Sequence, residues 1–193
     1  KVIKTIIEEL YYRKCNYEFS VMPVEILGNA YEQFLGKVIH RTPSGVSIKE
    51  KPEVRKAGGV FYTPQYIVEY IVKNTVGKLI DGKSPKEIEK IKIVDPACGS
   101  GSFLLGAYEY LLNYHINWYH HHPAEAKKAK ALTPPLSGEV GRGSGTLTTH
   151  EKKRILLSNI FGVDIDANAV EVTKLGLLLK CMEGETEASI KQQ

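Results

Sequence analysis

Residues able to do chemistry concentrate in Ile91-Lys92-Ile93-Val94-Asp95-Pro96-Ala97-Cys98-Gly99-Ser100-Gly101-Ser102-Phe103-Leu104, where an apolar run breaks into glycines and then resumes with helical spacing. This pattern predicts a strand, a tight loop and a helix. Gly99 and Gly101 flank Ser100 and let the backbone approach a ligand with no Cβ in the way. The helix that follows offers unpaired N–H groups and the positive end of its dipole. A nucleotide-like cofactor suits such a loop, although Gly-x-Gly alone equally suits an ordinary strand-to-helix turn.

A second set of candidates lies in Asn159-Ile160-Phe161-Gly162-Val163-Asp164-Ile165-Asp166, which reads as a strand ending in acids. A carboxylate at such a strand end can hydrogen-bond ribose hydroxyls; in dinucleotide folds it lies about 20 residues beyond the loop, here about 60. An insertion at about 120–149 accounts for the difference. Periodicity alone does not choose between Asp164 and Asp166. Asp166, however, is followed by Ala-Asn-Ala-Val at the start of a helical pattern and is a natural cap, which leaves Asp164 free at the carboxyl end of the strand. Asp95, ending the first strand, can hold the loop or a ligand's ammonium group. A nicotinamide-binding oxidoreductase domain is the main competitor, yet its third glycine would fall where Leu104 stands. A non-catalytic cofactor-sensing module is the other alternative. Cys98 reads as a small apolar packing residue. His120, His121 and His122 are consecutive and project in different directions, so they make a poor metal site, and none is expected.

These residues need elements to position them. Val2, Ile3, Ile6, Ile7 and Leu10 fall on one helical face, and Val24, Leu27, Tyr31, Phe34, Leu35 and Val38 on another, so residues 1–45 read as a small helical lead-in. Gly36 can close the second helix, and Thr42-Pro43-Ser44-Gly45 is a turn signal. Residues 46–62 read as a short strand or hairpin arm. Thr63 is then a helix N-cap with Pro64 in the first helical position, before an apolar stripe of Val68, Ile71, Val72, Val76 and Leu79. The helix after the glycine loop places Phe103, Leu104, Ala107, Tyr108, Leu111 and Leu112 toward a core. Residues 123–149 contain six Pro or Gly between 133 and 149, after an Ala/Lys-rich helical stretch, and read as a flexible insertion that adds little to the core. Glu151 to Ser158 reads as a short helix, and the last helix exposes a wide apolar face of Ala169, Val170, Leu175, Leu177, Leu178 and Met182. The order calls for an α/β fold with a parallel sheet and helical crossovers, occupying residues 46–193.

Composition sets outer limits. The 193 residues, 42% hydrophobic and 25% charged, suffice for one good core. The net charge of +4 permits a nucleic-acid partner without arguing for one. Lys and Arg exceed acids 10 to 7 in residues 1–60 and trail them 6 to 7 in residues 151–193, so the front of the chain is the better side for phosphate contact. Three cysteines without metal-ligand spacing fit a reducing, cytoplasmic setting. No apolar run reaches the length of a membrane span. A start at Lys1 fits a piece of something longer.

Asp95-Pro96-Ala97-Cys98-Gly99-Ser100-Gly101-Ser102-Phe103 resembles the cofactor motif of S-adenosylmethionine-dependent DNA amino-methyltransferases, particularly the adenine-N6 enzymes of restriction-modification systems. Gly58-Gly59-Val60-Phe61-Tyr62-Thr63-Pro64 looks like a second cofactor motif of that family, placed upstream of the glycine loop. Ile26-Leu27-Gly28-Asn29-Ala30-Tyr31-Glu32-Gln33-Phe34-Leu35-Gly36 is similar to the helical segment leading into the methyltransferase domain of large single-chain enzymes, of which type IIG is one kind; a type I modification subunit is the other candidate parent. The resemblance implies a partial Rossmann-like methyltransferase fold and S-adenosyl-L-methionine as cofactor. It implies contacts from Tyr62, Thr63, Asp95, Ala97, Cys98, Gly99, Ser100, Gly101, Asp164 and Ile165, with Asp164 as the ribose acid, and double-stranded DNA as partner of the intact enzyme. The family's catalytic motif is Asn/Asp/Ser-Pro-Pro-aromatic. The only Pro-Pro here, in Thr133-Pro134-Pro135-Leu136, lacks both flanking groups and precedes Asp164, so no catalytic residue is expected before residue 193. Nor does Cys98 follow a proline, as the nucleophile of cytosine-C5 enzymes does.

Overall fold

The computed structural model describes residues 4–5, 8–9, 23–35, 37–50, 63–133 and 145–184. Helix α1 (Glu25–Leu35) is followed by the hairpin β1 (Lys37–Thr42) and β2 (Gly45–Glu50). Next come α2 (Gln65–Val72), a π-helical turn (Lys73–Gly77), and the short helices α3 (Lys78–Ile80) and α4 (Pro85–Ile88). Strand β3 (Ile93–Asp95) leads into α5 (Ser102–His121) and α6 (Pro123–Ala129). The described chain closes with α7 (Thr149–Asn159), β4 (Ile160–Gly162) and α8 (Ala167–Met182). β3 and β4 pair in parallel, Ile93 opposite Ile160 and Asp95 opposite Gly162, which makes the fold mixed α/β around a small parallel sheet.

Helix α5 is the hub. It packs against α1, α2, α6, α7, α8 and both parallel strands. Leu104, Leu105, Ala107, Tyr108, Leu111, Leu112, His115 and Tyr119 are its buried residues, so the expected core face holds with Phe103 at its margin. The buried Tyr108 hydroxyl donates to the Lys152 carbonyl (3.0 Å), and Asn159 Nδ2 donates to the carbonyls of Ile88 (2.7 Å) and Ile91 (2.8 Å). Asn159 thus ties the end of α7 to the segment entering β3, fixing the starts of the two strands side by side.

Several sequence expectations change. The helical stripe predicted through Val38 stops at Leu35, because β-branched Val38, Ile39 and Thr42 continue as β1 into the predicted Pro43-Ser44 turn. The predicted first-helix residues Val2, Ile3, Ile6, Ile7 and Leu10, together with Gly36, residues 51–62 and residues 134–144, lie outside the described residues. Thr63 does not cap α2. Pro64, with ψ 141°, holds the flanking position and its carbonyl accepts from Ile67 and Val68, which puts the Thr63 hydroxyl one residue too far back. Val68 and Val72 are buried in α2 and Ile71 is exposed; the π turn then carries the buried side through Val76 to Ile80 and leaves Leu79 exposed.

The stretch from 123 to 149 also departs from expectation, since both its ends enter the core. Ala126, Ala131 and Leu147 are buried, and Leu132 bridges Leu147 in antiparallel fashion. On α8 the buried side is Ala169, Thr173, Gly176, Leu177 and Cys181, whereas Leu175, Leu178 and Leu179 are exposed. A helix apolar nearly all round gives periodicity little with which to choose a face.

Candidate functional site: the glycine loop

Asp95 ends β3 and folds the chain back on itself: its Oδ1 accepts the Ala97 N–H (3.1 Å) and its carbonyl accepts the Val163 N–H (2.9 Å). Cys98 N–H then donates to the Val163 carbonyl (2.9 Å), so the loop is stitched to the strand beside it. Gly99 and Gly101 both adopt positive φ (53° and 90°). At Gly101 the demand is double. An L side chain is strained there, and a Cβ would lie 2.7 Å from Thr173 Cγ2. Thr173 Oγ1 in turn donates to the Gly99 carbonyl (2.8 Å), locking the loop to α8.

The two acids after β4 divide their work. Asp166 caps α8 as predicted, its Oδ1 accepting the Asn168 N–H (3.0 Å), while its Oδ2 accepts from the Tyr31 hydroxyl (2.9 Å). Burial, reinforced by the bond to Asp166, pushes the Tyr31 hydroxyl up to about 12, so it remains a donor near neutrality. Asp164 is not free, contrary to the sequence expectation. Its Oδ2 accepts the Gly99 N–H (2.8 Å) and its Oδ1 the Asp166 N–H (2.8 Å). The crossing distance from loop to strand end is short enough for one carboxylate to brace both, something no one-dimensional spacing reveals.

Asp95, Ala97, Cys98, Gly99, Ser100, Gly101 and Asp164 therefore come together around one loop. Ile165 stands beside Asp164 and is fully exposed. Thr63 is half-buried, with no hydrogen bond to the loop among the described residues, and Tyr62 lies outside them. Cys98 is buried, and burial pushes its thiol up, so it packs as a neutral apolar group.

The face of α1 that rests on the loop lies beyond what the apolar stripe of that helix indicates. A Cβ on Gly28 would come within 3.1 Å of Ser100 Oγ, and Ser100 Oγ donates to Glu32 Oε1. Gly28, Tyr31 and Glu32 stand at i, i+3 and i+4, the spacing that shares one helix face. That spacing was a legible signal.

Among the described residues no side chain caps α5, whose flanking residue Gly101 is left-handed, so its first-turn N–H groups are left for an acceptor. Among the described residues, no ion pair engages Glu32, Asp95 or Asp164, and no group of His, Cys, Asp or Glu is placed to hold a metal. Elsewhere, about 24 Å along α5 at 1.5 Å per residue, a cavity of about 610 Å³ is lined by Trp118, His122, Glu151 and Arg154. His122 stacks on Trp118 (centroids 4.0 Å apart) and, with His121, hydrogen-bonds a carbonyl four residues back, while His120 bonds the Gly145 carbonyl.

Fold and site together define an α/β unit with a glycine loop between two parallel strands, braced by acids from both. The chain belongs to the MmeI DNA-methyltransferase domain family, whose match covers residues 77–193. It is 36% identical over 189 residues to the type II restriction enzyme and methyltransferase RM.Eco57I of Escherichia coli, aligning 97% of this chain with 18% of that protein. It is 27% identical to a putative type II restriction enzyme and methyltransferase of Methanocaldococcus jannaschii, over 87% of this chain and 15% of the relative. The adenine-specific methyltransferase PglX of Streptomyces coelicolor is 28% identical over 66% of this chain and 8% of its own length. The chain thus spans less than a fifth of the length of these curated relatives. No helix among the described residues is long and apolar enough to cross a membrane.

Proposed function

We propose that this chain is the cofactor-binding part of an S-adenosylmethionine-dependent DNA adenine-N6 methyltransferase of a restriction-modification system, with β3 and β4 as the first two strands of a Rossmann-like sheet. The observation that carries the reading is the charge around the loop. Glu32 and Asp164 bond Ser100 and Gly99, Asp95 and Asp166 stand at the two strand ends beside them, and among the described residues no cation pairs with Glu32, Asp95 or Asp164. Such a field opposes a dinucleotide pyrophosphate and favours a cationic, phosphate-free ligand. The orphaned, buried Oε2 of Glu32 fits a ligand that brings a donor.

S-adenosylmethionine supplies a methyl group on a positively charged sulfur, activated for in-line transfer to an amine. The chain's own residues bind and orient it. Asp164, whose oxygens retain lone pairs after bracing Gly99 and Asp166, accepts from ribose hydroxyls. The N–H groups at the start of α5 receive the methionine carboxylate. Gly99 keeps the loop surface clear of a side chain, and Gly101 lets the loop close against Thr173 of α8. Tyr62, Thr63 and Ile165 remain family-implied contacts. DNA is the partner of the whole enzyme, and the base-binding Asn/Asp/Ser-Pro-Pro-aromatic motif does not occur in residues 1–193, so this chain binds cofactor without transferring methyl to DNA.

Isothermal titration of the chain with S-adenosylmethionine and with NAD tests the reading. Binding of the first alone is expected. Binding of NAD alone would transfer the loop to the oxidoreductase class, and labelled methyl incorporation into duplex DNA would show that this chain carries its own acceptor chemistry.

A further inference from the structure

We propose that Glu32, on the helix that precedes the methyltransferase domain, is a cofactor-binding residue that takes the α-ammonium group of the methionine end. The inference rests on the cofactor reading above and assigns to that site a residue outside the 77–193 family match. One carboxylate oxygen, Oε1, accepts the Ser100 hydroxyl. The other, Oε2, is buried and has no hydrogen-bond partner among the described residues. A buried acceptor left unmet is destabilising, more so when it is charged, so native chains rarely keep one without a use.

Among the described residues, the surroundings of Glu32 do not supply that partner. Ser100 is itself 2% exposed and its hydroxyl is committed to Oε1. Gly28, one turn earlier on the same helix face, admits Ser100 so closely that a Cβ would stand 3.1 Å from its Oγ. Glu32 Oε1 would be 3.7 Å from a Cβ on Gly99, so the carboxylate lies directly against the loop. The neighbouring acids already serve backbone donors: Asp95 holds Ala97, Asp164 holds Gly99 and Asp166, and Asp166 holds Asn168. Asp95 also keeps its second oxygen, but its bond is exposed; among the described residues Glu32 is the acid at this loop with a buried oxygen left unmet.

Among the donors of S-adenosylmethionine, the ribose hydroxyls and adenine amine are neutral and the sulfonium has no proton to give. The ammonium combines N–H donors with full positive charge, which is what a buried carboxylate oxygen requires. The lead-in helix is on this view part of the site wall, held there by Gly28 on Ser100 and Tyr31 on Asp166.

The test is calorimetric titration of the full chain and of Glu32→Gln with three ligands: S-adenosylmethionine, S-adenosylhomocysteine, which keeps the ammonium and lacks the sulfonium charge, and 5′-methylthioadenosine, which lacks the amino-acid end. Gln preserves shape and the bond from Ser100, and a urea unfolding curve checks that the fold is retained. Glu32→Gln is expected to weaken the first two ligands 10- to 100-fold and leave methylthioadenosine unchanged. Ser100→Ala, which unpins the carboxylate, should show the same ligand pattern with a smaller loss. Equal weakening of all three ligands, or of none, would overturn the assignment, and weakening of S-adenosylmethionine alone would move Glu32 to the sulfonium. If the unaltered chain binds none of the three, the cofactor reading itself fails, a result visible before any variant is compared.

Discussion

Two clusters of carboxylates stand near opposite ends of α5, and they are completed in opposite ways. At the far end Glu151, 2% exposed, receives Arg154 through two bonds (Nε to Oε2, 2.9 Å; Nη2 to Oε1, 2.7 Å) and the Tyr119 hydroxyl (2.8 Å), while Arg154 Nη1 reaches Glu89 Oε2 at 3.0 Å. Burial alone would raise the Glu151 carboxyl, but the Arg154 and Tyr119 bonds outweigh it and hold it below the usual range. At the glycine loop Asp95, Asp164 and Asp166 are met by backbone N–H groups, and one oxygen of Glu32 by nothing among the described residues. A cluster that carries its own cation is closed and structural. One in which, among the described residues, Glu32, Asp95 and Asp164 are met by neutral dipoles and by no cation keeps negative charge for a ligand to meet.

The largest expected effect breaks the closed cluster. Arg154→Ala strands a buried carboxylate, and urea unfolding should show a loss of about 3 kcal/mol; a loss under about 1 kcal/mol would mean that water compensates Glu151 and that the two clusters differ less than their geometry indicates. Next, Gly101→Ala should cost about 2 kcal/mol from its left-handed φ alone, with the clash at Thr173 adding to it and cofactor binding lost in the same titration.

Asp164→Ala sharpens the comparison from the other side. Because Asp164 braces two backbone N–H groups, it is expected to lower stability by about 2 kcal/mol as well as weaken the cofactor, whereas Asp166→Ala should cost about 1 kcal/mol as a lost cap. Midpoints and affinities measured on both variants decide this. An Asp164 variant with unchanged midpoint would return it to the role of a free ligand acid.

The smallest effect is one of pH. His115 is buried beside the closed cluster, its Nδ1 on the Leu111 carbonyl (2.7 Å) and its Nε2 without a partner, and burial lowers its pKa despite the favourable Leu111 carbonyl and Glu151 charge. Below about pH 6.5 the unfolded chain takes up a proton that the folded site resists, so stability falls with pH by at most about 1.4 kcal/mol per unit. His115→Phe should flatten that slope between pH 7 and 5 in thermal melts. A slope unchanged by the substitution would place the acid sensitivity elsewhere.

The sequence by itself determined the local elements whose signals lie within a few residues: the strand, glycine loop and helix from Ile93 into α5, the turn at Pro43-Ser44, the capping by Asp166, and the family to which the glycine loop belongs. It also set the buried face of α5, where apolar positions recur against polar ones. Only the tertiary structure decided that Asp164 is a brace, that Leu175 and Leu178 point outward, that Glu151 is paired with Arg154 inside the protein, and that α1 lays Gly28, Tyr31 and Glu32 on the loop. Asp164 with Gly99 and Glu32 with Ser100 join residues 65 and 68 positions apart. No periodicity in the chain encodes a contact over that separation, because the packing of α1, α5 and α8 around one core fixes which of their polar faces meet.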